Sequence, residues 1–151
     1  MNKKRWLIAS VGVYVASMIL GYIFDGLILK GQYQATAALW RPAAEMKMGI
    51  PWITTAFFSL LFVYIFIKGY EGKGILEGVR YGLWMGLLIT IPMSYNLYSV
   101  MPIPYSLTLS WWVLGTIEII ICGIVAAWLY KPAISTKPAQ ETAPPSPTEQ
   151  K

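Results

Sequence analysis

The sequence predicts an all-α membrane protein: a bundle of four transmembrane helices, both termini in the cytoplasm, with a short interfacial helix in the first external loop. Three observations lead to this class. Hydrophobic residues make up 56% of the 151-residue chain and charged residues only 13%, a balance far too apolar for a soluble single domain. The apolar residues fall in four blocks, Trp6–Leu29, Ile50–Ile67, Tyr81–Val100 and Leu107–Tyr130, each long enough to span a bilayer. None of the blocks shows the period-two alternation of strands, and a spanning segment must satisfy its own backbone, so each reads as a helix.

Charge sets the orientation. Lys3, Lys4 and Arg5 precede the first helix, Lys68, Lys73 and Arg80 surround the second connection, and Lys131, Lys137 and Lys151 lie in the C-terminal tail. Only Lys30, Arg41 and Lys47 fall on the other side. The positive-inside rule then places both termini in the cytoplasm, most simply of a bacterial inner (plasma) membrane. The net charge of +5 is thus a topology signal; the partner it implies is the lipid bilayer and not nucleic acid.

Composition also excludes chemistry. There is no histidine, and Cys122 is the single cysteine. His-ligated haem, His-based zinc sites, Ser-His or Cys-His catalysis and paired-thiol redox chemistry within one chain all fall away. No catalytic constellation, metal site or cofactor is expected.

Taken in order, the first block reads as a retained signal anchor: it is about twice the length of a signal-peptide core, and the Ala35-Thr36-Ala37 spacing lies well past its end. Ser17, Gly21 and Asp25 recur every fourth residue and share a face, with Asp25 expected as a wetted helix end at the outer interface. The loop Lys30–Gly49 contains helix-favouring Ala35–Leu39, the breaker Pro42, and the interface residues Tyr33 and Trp40. It reads as a short helix on the outer surface, in which Arg41 and Glu45 could pair across one turn. Asp25, Trp40, Arg41 and Glu45 are the candidates for an external lid or entrance.

The second helix opens at Pro51, a residue suited to a first turn. Phe57, Phe58, Phe62 and Phe66 are expected to face lipid or neighbouring helices. Lys68–Arg80, with four glycines, reads as a flexible hairpin; its Gly72-Lys73-Gly74 lacks the rest of a phosphate-loop pattern. The third helix carries a Gly82/Gly86 GxxxG match, expected to serve internal packing. Further along, Pro92 is followed by Ser94, Tyr95 and Asn96, a polar cluster tolerated only toward protein or a water-filled cavity. Met101–Ser106 is a short proline-containing turn. Residues 1–131 form the membrane domain, and 132–151, rich in Pro, Ser and Thr, form a disordered cytoplasmic tail.

The fourth helix holds the most informative residue. Leu107–Tyr130 is 24 residues long with one carboxylate, Glu118, about 17 Å from either end. Counting from the cytoplasmic helix ends, Ser17, Thr55, Ser94 and Glu118 all come out between roughly 17 and 20 Å deep. Small residues Gly115, Cys122 and Ala126 share the face of Trp111 and Glu118, which points that face inward. The candidate intramembrane polar site is therefore Glu118, Asn96, Ser94, Tyr95, Thr55 and Ser17. Two roles remain open for Glu118. It could donate as a neutral acid to Asn96, Ser94 or Thr55 and tie the bundle together, or it could titrate in a ligand or proton pathway open to the outer side.

Leu39-Trp40-Arg41-Pro42 after the first helix, and Gly123-Ile124-Val125-Ala126-Ala127-Trp128 ending the last, resemble the small four-helix bacterial inner-membrane proteins grouped as domains of unknown function. The resemblance covers element order and loop placement over residues 6–130 and implies no mechanism. The function expected from the sequence is a structural or accessory subunit of a membrane complex, with a membrane-protein partner or a homo-oligomer. The second expectation is a small proton- or solute-linked transporter that uses Glu118.

Overall fold

The computed structural model describes residues 2–130; the tail read above as disordered lies outside them. Every element among the described residues is helical. Three helices are long and apolar enough to cross a membrane: Lys3–Ile28, Gly49–Lys68 and Tyr105–Leu129. Helix α1 is Lys3–Gly21 and runs on as a π-helical stretch, Tyr22–Ile28. Helix α2, Lys30–Ala35, is followed by two 3-10 turns, Ala37–Leu39 and Ala43–Glu45. Helices α3 (Gly49–Lys68), α4 (Ile75–Val100) and α5 (Tyr105–Leu129) complete the chain.

The tightest pair is α4 with α5, and glycine is the reason. Gly78, Gly82 and Gly86 form one stripe of α4, continued by Thr90 and Ser94, and all five are buried. A Cβ on Gly82 would lie 2.6 Å from both the Ile119 carbonyl oxygen and the Ile120 Cα, and one on Gly78 would collide with the Gly123 backbone. The GxxxG pair thus packs internally, and Gly78 extends it by a turn. Where the stripe changes from glycine to threonine, side-chain contact replaces backbone contact: the Thr90 and Thr116 hydroxyls hydrogen-bond at 2.9 Å. Small and polar residues on this buried stripe also contribute to α4 falling outside the three helices apolar enough to cross a membrane.

Helix α1 is tied to α3 by the Trp6 Nε1–H, which donates to the Leu60 carbonyl at 3.1 Å. The Tyr81 hydroxyl of α4 donates to the Phe62 carbonyl of α3 at 2.7 Å, and the Tyr81 ring packs at a tilt against Phe62 and Phe66. Phe62 and Phe66 are buried, while Phe57 stays 63% exposed on the bundle surface. The core (Ala9, Val13, Phe62, Val63, Phe66, Cys122, Ala126) lies toward one end. That end, carrying the N-terminus and Tyr130, is the terminal end; the other, carrying α2 and Met101–Pro104, is the loop end.

The connection between α3 and α4 differs from a flexible hairpin. Helix α4 begins at Ile75 rather than Tyr81, leaving only Gly69–Gly74 between the helices. Glu77, 4% exposed, accepts from the Glu71 N–H at 2.6 Å and the Lys73 N–H at 2.9 Å. Gly72 and Gly74, with φ of 81° and 74°, provide the left-handed turns that aim those amides inward. Within the Gly72-Lys73-Gly74 segment that resembles a phosphate loop, the Lys73 amide is therefore engaged by the protein's own carboxylate. On the outside, Lys73 and Arg80 pair with Glu71 and hold its carboxyl below the usual carboxylate range.

Candidate functional site

The loop-end half of the bundle contains a cavity of about 960 Å³. Its formation follows from the packing below it. Glycines draw α4 against α5 at the terminal end and aromatic rings fill the space beside α3, whereas Thr54, Thr55, Thr90, Ser94 and Gly115 leave space nearer the loops. Of the six residues proposed for an intramembrane polar site, four line this cavity: Ser17, Thr55, Ser94 and Glu118. The cavity contains no Lys or Arg among its lining residues, and it contains two carboxylates, Glu118 and Asp25.

Asn96 and Tyr95 do not join the cluster. Asn96 is exposed on the outside of α4, and the Tyr95 hydroxyl instead shares a 3.2 Å hydrogen bond with Tyr105. The reason is rotational. Two residues along a helix turn a side chain by about 200°, so Ser94 and Asn96 cannot both face the cavity.

Glu118 itself is half-buried. Among the described residues no side chain hydrogen-bonds or ion-pairs with its carboxylate. The bonds to Asn96, Ser94 or Thr55 that would make it a tie between helices are not formed. Nearby, the Ser17 hydroxyl meets the Cys122 thiol at 3.2 Å, which joins α1 to α5 one turn below. The Ser94 hydroxyl is buried, at 1% residue exposure, and has no partner among the described residues.

Asp25 sits higher; it is exposed near the helix end, as expected there, and it also lines the cavity. The π-helical stretch Tyr22–Ile28 opens α1 by one residue per turn, a distortion that recurs at functional sites. Asp25 lines the cavity from there and accepts a 3.0 Å hydrogen bond from the Tyr33 hydroxyl. The Trp111 Nε1–H donates in turn to the Tyr33 oxygen at 2.7 Å. Burial, then the Asp25 charge, push the Tyr33 phenol well above its ordinary range, so it stays a donor to Asp25. The Trp40 ring packs edge-on against Tyr33 and Trp111, with centroids 5.7 and 6.1 Å away.

A second cavity, about 1140 Å³, lies outside the first and shares Asp25, Gly26, Tyr33, Met46, Met48 and Pro51 with it. Trp40 and Arg41 line this outer chamber, with Lys30 and Lys47, but Glu45 does not. The expected Arg41–Glu45 pair is absent among the described residues. The backbone is extended at Trp40 and Pro42 (ψ of 156° and 144°), and Glu45 closes a separate 3-10 turn, so no helical turn connects the two. The Ala35–Leu39 helix likewise breaks at Thr36, whose hydroxyl bonds back to Gln32 and accepts from Trp40.

Sequence reasoning missed two participants. Thr90 was detectable, since it lies midway between Gly86 and Ser94 on a four-residue repeat. The Trp111–Tyr33–Asp25 chain carries no sequence signal, because it closes across 78 and 8 residues through a break in helix geometry. Comparison of the chain with protein-family models, with curated proteins and with solved structures finds no match.

Proposed function

We propose that the protein is a small transporter with four transmembrane helices, N-in and C-in, in a bacterial inner membrane, with Glu118 as its proton- or solute-coupling carboxylate. The observation that carries this reading is the Glu118 carboxylate facing a 960 Å³ cavity without a partner among the described residues. A structural or accessory role needs no reactive site, and the unpaired state of Glu118 among the described residues weighs toward transport instead. An intramembrane carboxylate facing a cavity that water can fill is also the usual arrangement of a proton or ion pathway.

Helix α4 is included as the fourth span on physical grounds. Its 26 residues reach about 39 Å, and Trp84, Leu88 and Ile91 turn an apolar face outward. Helix α2 and its aromatic partners then lie at the outer interface, where Tyr and Trp are favoured. In this orientation both cavities open outward and the packed terminal half closes the inner side.

Two measurements test the reading. A reporter fused after Lys151 is expected to be active only in the cytoplasm; activity on the far side would turn the cavity mouth inward. For access, Glu118→Cys in a Cys122→Ser background should react with a membrane-impermeant thiol reagent added outside intact cells. Ile117→Cys, from the 41% exposed outer face of α5, should stay unlabelled in lipid. Failure of Glu118→Cys to react from either side would mean a sealed site and return Glu118 to a packing role.

A further inference from the structure

The two chambers are lined by ionisable groups of opposite type. The inner one holds Asp25 and Glu118 and no cation; the outer one holds Lys30, Arg41 and Lys47, with Asp25 at the shared boundary. Among the described residues none of these three cations is ion-paired. Such a field opposes a simple cation at the outer mouth and a simple anion in the inner chamber. It suits one molecule that carries both charges.

We infer that the joined cavities bind a zwitterion, with its ammonium end among Asp25, Glu118 and Ser94 and its anionic end among Lys30, Arg41 and Lys47. Ser94 is independent support, because its hydroxyl is 1% exposed as a residue, unpartnered among the described residues, and part of the inner wall. A ligand group at this position would satisfy a buried polar atom that is otherwise costly. Phe24, Phe58 and Trp111 also line the inner wall, and aromatic rings are favourable neighbours of a desolvated ammonium group.

The same headgroup chemistry can arrive on a phospholipid or on a water-soluble molecule. Trp52 and Met93 bear on this, since both line the inner cavity while 56% and 59% exposed on the bundle surface. The cavity wall between α3 and α4 is therefore also bundle surface, through which acyl chains could remain in the bilayer while the headgroup is held inside.

This inference rests on the Glu118 cavity being a ligand site. The test titrates the full-length protein in dodecyl maltoside, by calorimetry, with short-chain phosphatidylethanolamine, phosphatidylglycerol of equal chain length, and glycerophosphoethanolamine. The zwitterionic lipid is expected to bind about tenfold more tightly than the anionic one, one charge-assisted contact's difference. Asp25→Asn combined with Glu118→Gln should abolish that preference, and Arg41→Gln with Lys47→Gln should weaken both lipids alike. If glycerophosphoethanolamine binds as tightly as the lipid, the ligand is a soluble zwitterion; if chains are required, it is a lipid, and either result upholds the inference. Equal binding of the two lipids to the unaltered protein, or a preference that survives the double carboxylate substitution, would overturn it. Because thiol access at position 118 is read separately, a reactive Glu118→Cys without lipid preference removes only the zwitterion, whereas a sealed position removes the site.

Discussion

Gly82→Val should cause a large loss of stability through the α4–α5 pair. Even the first added carbon would lie 2.6 Å from the Ile119 carbonyl oxygen and from the Ile120 Cα. Both are backbone atoms, so no side chain can rotate away, and the two helices must separate along their length. Separation also strains the Thr90–Thr116 hydrogen bond and the Gly78–Gly123 approach. Overpacking of a tight core costs about 1–3 kcal/mol, and this site belongs at the upper end, about 3 kcal/mol. In a heating series monitored by size-exclusion chromatography in detergent, the variant is expected to lose its monodisperse peak well below the parent. Gly31→Ala, where the added Cβ meets nothing within 4 Å, is the control and should match the parent. A Gly82→Val protein as heat-resistant as that control would mean that α4 and α5 are not packed through this stripe.

Glu77→Ala should rank next. The Glu77 carboxylate satisfies two backbone N–H groups, those of Glu71 and Lys73, at 2.6 and 2.9 Å, in a position only 4% exposed. Truncation leaves both donors without the acceptor that shapes the turn. Hydrogen bonds to a charged group are worth about 1.5–3 kcal/mol, and water can reach part of this turn, so the net cost is set at about 2 kcal/mol. Glu77→Gln keeps one good acceptor and should fall between the parent and Glu77→Ala. The same heating series measures it, with protease susceptibility at the Gly69–Gly74 connection as an independent readout. Were Glu77→Ala to leave both unchanged, the carboxylate would not be what organises the turn.

The contrast between Glu77 and Glu118 shows how far a linear reading reaches. Glu118 is conspicuous in sequence because it interrupts a long apolar block, and its inward face follows from the small residues spaced around it. Glu77 sits among lysine and glycine in what reads as a loop. Its burial depends on a turn that only exists once Gly72 and Gly74 adopt positive φ, so nothing local to the sequence marks it.

Depth and rotation divide in the same way. Counting residues along each segment groups Ser17, Thr55, Ser94 and Glu118 by depth, because rise per residue is constant, and all four line the inner cavity. The same count admits Asn96 and Tyr95, since depth takes no account of the side of the helix, and the structure turns both away. The entrance residues divide similarly: Asp25, Trp40 and Arg41 border the outer chamber, while Glu45 falls outside its lining because the backbone straightens through Pro42.

What the amino-acid order alone determined is the class of molecule: helical, apolar enough to cross a membrane, without the histidine or paired thiols that many reactive sites need. Those properties come from composition and from periodicity within single segments, and each segment expresses them whatever its neighbours do. The tertiary structure decided which polar groups meet. The inner chamber exists because glycine brings α4 onto α5 at one end while threonine and serine leave room at the other. Asp25 lines that chamber on the face it shares with Ser17 and Gly21, and there it accepts from Tyr33, whose oxygen in turn accepts from Trp111. These contacts join residues far apart in the chain, and their energies depend on the relative rotation of whole helices, a quantity no single segment encodes.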